Sequence, residues 1–293
     1  MADINKLGYI GVGVMGGRMC RNLAAKSGKP IIAYDVVMNK VAALAEVGVE
    51  AAGSIADVMR EADLVFMCLP GEPQVRSVCL DADGVLAHAR AGQTVVDMTT
   101  ATANIARRLL SEFTKKGVDF ADAPVARGVS SAQDGTLSIM VGGSEAIFAR
   151  IKPYLACMGT DITHCGEVGT GQVVKLMNNM VVFQNVSALA EALAIGTRAG
   201  VDGQLLFETL SRGSADSFAL RKHGMQYMVK GDFPTDVFPT TYSLKDLRYA
   251  LQLAQEGNID AKGAKLVEQR LLEAIDAGYG DRYCPVIYKL LDR

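Results

Sequence analysis

The sequence predicts an α/β chain. An open sheet with helices on both faces comes first, an all-helical part follows, and one long helix joins them. Three observations predict it. Short apolar runs alternate with helical patterns as far as about residue 142, as in a largely parallel sheet. A glycine-rich turn separates the first apolar run from the first helical pattern. From about 167 to 199 the chain reads as one helix, well beyond the average globular length, and only helical patterns follow it.

The first run, 7–10, enters Gly11-x-Gly13-Val14-Met15-Gly16, and a helical pattern follows through Met19 and Leu23. Strand, Gly-x-Gly-x-x-Gly and helix in that order fit a dinucleotide. The first glycine allows the tight turn, the second lets a pyrophosphate approach, and the third lets helix and strand pack closely. The phosphates then lie on the free N–H groups of the helix start. A second strand, 30–35, ends in Asp35 about twenty residues later, where an acid accepts from a ribose 2'-hydroxyl. A cap on the helix after it is the plainer reading of Asp35. Val36 and Val37 are neutral, so nothing there clamps a 2'-phosphate, and NAD is expected over NADP.

Further strands are expected at 64–69, 94–98, 119–122 and 138–142, with a helix over 102–116. The run at 64–69 is apolar throughout and closed by Pro70-Gly71, which suits a strand buried on both faces. Ligands of such sheets bind at the carboxyl ends of the strands. Pro70, Thr100 and the segment Asp122-Ala-Pro124-Val-Ala126-Arg127-Gly128 fall at such ends. Gly128 opens a short helix, where N–H groups favour an anion. Arg127 adds a planar fork for a carboxylate, sulfonate or phosphate, or is an ordinary surface arginine.

The long helix is apolar on nearly every side, and such a helix is expected to be buried all round. Lys175, Asn178 and Asn179 interrupt it. Lys175 and Asn179 are four apart and share one face. Lysine is seldom buried without a partner or a task. Either Lys175 snorkels to the helix start, or its ammonium faces a cleft and exchanges a proton with a substrate oxygen. Beyond the helix, helical patterns cover 204–211, 217–230, 241–254, 266–276 and 285–291, with a loop over 231–239. Lys245 precedes Asp246 in what reads as a helix start. The acid suits that end and the lysine does not, which points to an external anionic partner for Lys245 or to a solvated side chain. Domains of 1–165 and 166–293 are expected, with a cleft between them as the usual place for a small ligand.

Composition narrows the class. The 293 residues suit one large or two ordinary domains. A net charge of −2 gives no reason for a nucleic-acid or membrane partner. No apolar run is expected to reach the length of a membrane span, and the first residues lack a signal pattern. The six cysteines are scattered without a Cys-x-x-Cys pair, as in a reduced cytoplasmic protein. The three histidines are far apart, and no metal site is expected.

Taken together, Gly11-x-Gly13-x-Met15-Gly16, Asp122-Ala-Pro124-Val, Asp134-Gly-Thr-Leu, Gly169-x-Gly171-x-x-x-Lys175-x-x-x-Asn179 and Lys245-Asp246-Leu247 resemble the 3-hydroxyacid dehydrogenase family over essentially the whole chain. The resemblance implies a Rossmann domain, a helical domain, and dimers or tetramers. It implies Lys175 as general acid/base, Asn178 and Asn179 beside the substrate, Lys245 near nicotinamide and substrate with Asp246 in support, and Leu69, Pro70 and Thr100 against the cofactor. The family often carries Ser-Gly-Gly where this chain has Ala126-Arg127-Gly128. That departure looks like the Arg-bearing branch that includes sulfolactaldehyde reductase. A small anionic substrate held by Arg127 and the Gly128 loop is expected, carboxylate or sulfonate. An imine reductase of the same fold usually lacks the lysine found at Lys175. A non-catalytic dinucleotide sensor is the alternative outside the enzymes.

Overall fold

The structure, a computed structural model, describes residues 3–235 and 237–292. Residues 1, 2 and 293, at the ends of the two expected domains, and 236 of the expected 231–239 loop lie outside the described residues. Packing divides the chain into two compact units, Met1–Lys175 and Leu176–Arg293.

The first unit runs β1 (Leu7–Ile10), α1 (Gly16–Lys26), β2 (Ile31–Tyr34), α2 (Met38–Ala42), β3 (Val49–Ala51), α3 (Ile55–Glu61), β4 (Leu64–Met67), α4 (Glu72–Leu80), α5 (Val85–His88), β5 (Thr94–Asp97), α6 (Ala103–Thr114), β6 (Asp119–Asp122), β7 (Val125–Ala126), α7 (Gly128–Asp134), β8 (Leu137–Gly142), α8 (Glu145–Leu155) and β9 (Gly159–Gly166). The strand order is β3-β2-β1-β4-β5-β6-β8-β7, with β9 paired to β8. Strands β1 to β6 are parallel. Their order is that of a dinucleotide-binding sheet, whose crevice opens where the winding reverses, between β1 and β4.

Both faces of this sheet are covered, which explains the uninterrupted apolar runs. Leu7, Tyr9, Leu64 and Phe66 pack in one core with Met19 and Leu23 of α1. Their neighbours Ile10, Val65 and Met67 face the other way, in a core with Val58 of α3 and Leu109 and Phe113 of α6. Phe113 stacks on Phe120 with ring centroids 5.5 Å apart. Each such buried side chain contributes roughly 1.5–3 kcal/mol.

Strands and helices go on alternating past β6, but the parallel order does not hold there. β8 runs antiparallel to β6 and β7, because the chain turns back after α7 instead of crossing over. β9 had no apolar signature: Thr160, Asp161, Thr163 and His164 make it a mostly polar strand beside β8.

Helix α9 (Thr170–Arg198) begins in the first unit and continues into the second. The second unit adds α10 (Gly203–Leu210), a π-helical segment Leu220–Met228, α11 (Thr240–Glu256), α12 (Lys262–Ala274), a π-helical turn Ile275–Tyr279 and a 3₁₀ segment Cys284–Leu290. Its core gathers Phe183, Val186, Leu189 and Leu193 of α9 around Phe207, Leu247, Leu271 and Ile287.

Two expectations for α9 are corrected. It is not buried all round: Val181 is 50% exposed and Ile195 68%. It is also long and apolar enough, by length and composition, to cross a membrane. Its apolar content divides instead between a core side and an exposed side seven residues in repeat, Val181, Ala188 and Ile195.

Candidate functional site

The glycine turn has the shape its sequence implies. Gly11 leaves β1 with φ +87°, and its N–H donates to the Tyr34 carbonyl at 2.9 Å. A Cβ on Gly11 would lie 2.4 Å from the Cys68 carbonyl oxygen, and one on Gly16 would lie 2.0 Å from that of Gly11. The strand ends of β1 and β4 and the start of α1 therefore touch through backbone alone. Gly13, in contrast, faces open space, with nothing within 4 Å of its Cβ position. No acidic residue lies in the first turn of α1 and no side chain caps it. Val14 is exposed, while Met15 packs partly against the core below.

Asp35 folds back onto this turn. Its Oδ2 accepts the Val12 N–H at 2.9 Å and its Oδ1 accepts that of Val37 at 2.8 Å. α2 starts after Val37 with no side-chain cap, so Asp35 does not cap that helix. Each carboxylate oxygen has a second lone-pair direction, so the pair can accept from ribose hydroxyls as well.

At the next strand ends, the Leu69 N–H donates to Thr99 Oγ1 at 2.9 Å. Pro70 is exposed and Thr100 half-buried. Gln172, fully buried near the start of α9, straddles Thr100. Its Nε2 donates to the Thr99 carbonyl at 2.7 Å, and its Oε1 accepts the Ala101 N–H at 3.0 Å. Asp122, buried at the end of β6, accepts the N–H groups of Gly169 at 2.6 Å and Gln172 at 2.8 Å. Burial pushes its carboxyl up to about 6, against the pull of those two N–H groups. Lys175 follows one turn after Gln172 and is 8% exposed, so the lysine is a buried group.

Sequence reasoning singled out Lys175, took Asp122 only as part of a segment at the strand ends, and passed over Gln172 and Thr99. The signal was present in part, since Gln172 is a polar residue three positions before Lys175 on a mostly apolar helix. That it reaches the 99–101 turn depends on the fold.

Residues 126–128 are arranged differently from a bare anion trap. Ala126 pairs with Ser138 across β7 and β8. Arg127 (φ 88°) and Gly128 (φ 79°) are consecutive left-handed residues ahead of α7, an unusual conformation for arginine. Arg127 Nη1 lies 2.6 Å from Asp161 Oδ2, and donates to the Thr136 carbonyl at 3.1 Å and Thr160 Oγ1 at 3.2 Å. Its charge is thus answered by β9 of the same sheet.

In the second unit the polar residues form a chain. Asn178 Nδ2 donates to Asn179 Oδ1 at 3.0 Å, and Asn179 Nδ2 donates to Asp246 Oδ2 at 2.8 Å. Lys245 Nζ stands 3.0 Å from Asp246 Oδ1, and lies 5.7 Å and 5.3 Å from the ring centres of Tyr242 and Tyr249. This approach is an ion pair without hydrogen-bond alignment, and the buried Oδ1 accepts no hydrogen bond from the described residues. Contrary to expectation, Lys245 is not misplaced at a helix start: α11 begins at Thr240, so Lys245 lies past the first turn, where the helix dipole has faded. Among the described residues no cluster of His, Cys, Asp and Glu is arranged for a metal.

Comparison with known proteins accounts for nearly the whole chain. Residues 6–166 match the family model described as the NAD binding domain of 6-phosphogluconate dehydrogenase. Residues 169–291 match that described as NAD-binding of NADP-dependent 3-hydroxyisobutyrate dehydrogenase. A 2-(hydroxymethyl)glutarate dehydrogenase of Eubacterium barkeri is 36% identical over 87% of this chain and 84% of its own. An NAD-dependent L-serine dehydrogenase of Pseudomonas aeruginosa is 32% identical over 99% of this chain and 98% of its own. The solved 3-hydroxyisobutyrate dehydrogenase of Mycobacterium tuberculosis with L-serine superposes with a TM-score of 0.89 at 28% identity, covering 99% of this chain and 100% of that one.

Proposed function

The chain belongs to the 3-hydroxyacid dehydrogenase family, and on that premise we propose that Lys175 is its general acid and base. The protein is an oxidoreductase that uses a nicotinamide dinucleotide and acts on a small hydroxyacid or its semialdehyde. The observation that carries the role of Lys175 is its burial one helical turn beyond Gln172, which is hydrogen-bonded to both sides of Thr100.

The glycine turn fits the cofactor. The open space beside Gly13 admits a pyrophosphate, the uncapped first turn of α1 offers its N–H groups, and Asp35 offers carboxylate oxygens to a ribose. Leu69, Pro70 and Thr100, at the ends of β4 and β5, are proposed to line the nicotinamide side. Bound there, the cofactor supplies the two-electron redox chemistry. In alcohol oxidation Lys175 as the neutral amine accepts the hydroxyl proton at Nζ. In aldehyde reduction its ammonium returns that proton to the carbonyl oxygen. Asn179, its amide orientation fixed by Asp246, supports a role in holding the substrate, with Asn178 behind it. Lys245 and its ion-pair partner Asp246 are proposed to meet substrate or cofactor polar atoms.

Arg127 and the Gly128 loop are proposed to hold the substrate anion. The bond from Arg127 to Asp161 is half-exposed, and pairs of that kind contribute about 0–1 kcal/mol. Exchanging Asp161 for a substrate carboxylate or sulfonate therefore costs little. The exposed repeat of Val181, Ala188 and Ile195 on α9 supports a homodimer or homotetramer. The six cysteines are free thiols, which supports a reducing compartment, the cytoplasm.

The test is Lys175→Ala, assayed by NADH formation with NAD and a panel of hydroxyacids that includes a sulfonate. Loss of general acid/base help lowers kcat by about 10²–10⁴-fold, while NADH binding persists. Turnover near that of the unaltered enzyme would remove Lys175 from the chemistry. Asp35 is proposed to favour NAD by repelling a 2'-phosphate, and kcat/KM with NADP equal to that with NAD would end that assignment.

A further inference from the structure

We infer that Gln172 and Asp122 are positioning residues that set where the Lys175 side chain starts, by clamping the first turn of α9 to the ends of β5 and β6. The inference rests on the acid–base reading of Lys175.

The start of α9 has little of its own to hold it. Gly169 (φ +95°) and Gly171 flank Thr170, and glycine is a poor helix former. The Thr170 hydroxyl donates locally to the Glu167 carbonyl at 2.8 Å, and two further side chains tie the first turn to the sheet. Asp122 takes the N–H of Gly169 on one oxygen and that of Gln172 on the other. These are N–H groups that the helix cannot satisfy within itself. The backbone is seated closely as a result: a Cβ on Gly171 would lie 2.7 Å from Asp122 Oδ2 and 2.4 Å from the Met140 carbonyl oxygen. Gln172 then pins the same turn a second time, with its amide donating to residue 99 and accepting from residue 101. Thr99 in turn accepts from Leu69 at the end of β4.

Residue 172 is therefore held through both its main chain and its side chain. Two attachments at one residue fix the helix in translation and in rotation about its axis. Residues three apart lie on nearly the same face of a helix, so Lys175 emerges beside Gln172, on the side that carries Thr99 to Ala101. Without the amide clamp the turn can rotate or slide, and Lys175 moves with it. A misplacement of about 1 Å in a reacting group costs on the order of 10²-fold in rate.

The clamp is tested by a cycle of four full-length proteins: unaltered, Gln172→Ala, Lys175→Ala and the double variant. Each is assayed for kcat on the hydroxyacid that the unaltered enzyme turns over fastest. The expectation is a loss of about 10²-fold in kcat for Gln172→Ala. That loss should shrink to near nothing in the Lys175→Ala background, since a residue acting through Lys175 has nothing left to position. A purely structural role gives the same factor in both backgrounds and overturns the inference, as does an unchanged kcat in Gln172→Ala. If Lys175→Ala itself turns over normally, the acid–base reading fails first and the clamp's role falls with it, a result distinct from either.

Gln172→Glu covers the case in which the alanine variant does not fold. Its protonated acid can donate to the Thr99 carbonyl and accept from Ala101, as the amide does, while its carboxylate cannot donate. The ratio of its kcat to that of the unaltered enzyme should rise as pH falls. A ratio flat across pH overturns the clamp.

Discussion

Replacing Asp97 by Asn should flatten the pH dependence of stability that the first unit otherwise shows between about pH 4 and pH 7. Asp97 is buried at the end of β5, where its Oδ1 accepts the Thr99 N–H at 2.9 Å. Burial pushes its carboxyl from 3.8 up to about 7; the Thr99 bonds oppose the rise and the nearby Asp122 charge adds to it. A carboxyl whose folded pKa lies above its unfolded value favours folding in its neutral form. The contribution is complete below the unfolded value near 4, falls as pH rises, and is gone above about 7. The span corresponds to about 4 kcal/mol. Asparagine keeps an acceptor for Thr99 and cannot ionise. The variant should therefore match the parent near pH 4.5 and exceed it by a few kcal/mol at pH 8, less about 1–3 kcal/mol if one amide N–H is left unsatisfied. The chain has no tryptophan, so urea unfolding is followed by far-UV circular dichroism from pH 4.5 to 8.5. Asp122, raised to about 6 by burial, leaves a smaller slope of the same sign in both proteins. Parallel stability curves for parent and variant would refute the reasoning.

Arg127→Gly should relieve about 1–2 kcal/mol of left-handed strain, offset by the lost surface pair with Asp161 and by glycine's extra freedom when unfolded. Stability should thus change by less than about 1 kcal/mol, while the KM for the anionic substrate rises about tenfold or more, the worth of a charged hydrogen bond. An unchanged KM in steady-state kinetics would free Arg127 of that role. In the second unit the Tyr283 hydroxyl meets His223 Nδ1 at 2.7 Å, and burial pushes that imidazole down to about 4. A histidine with a depressed folded pKa contributes stability above about pH 6.5 that is lost as pH falls toward 4. Tyr283→Phe should cost about 1–3 kcal/mol at pH 7 by leaving the buried ring nitrogen unpaired, and denaturant midpoints across that range check both statements.

Much of this protein was legible in the chain itself because its signals are local. The alternation of apolar runs and helices, the spacing of Gly11, Gly13 and Gly16, and the acid at Asp35 each follow from backbone sterics and a strand's period of two. A lysine in a mostly apolar helix marks itself by the cost of burying it. What the chain could not state is set by partners far away in sequence. β9 lacks an apolar alternation and exists because β8 offers it an edge. The exposed side of α9 is invisible to composition, since apolar residues look alike whether or not a core covers them. Arg127 was read as a fork for a ligand, and only the fold brings Asp161, thirty-four positions on, against it. Gln172 and Asp122 gain their meaning in the same way, from hydrogen bonds spanning forty-seven to seventy-three positions of sequence. Tertiary structure decides such pairings because a buried polar group must find a partner wherever the packed chain brings one.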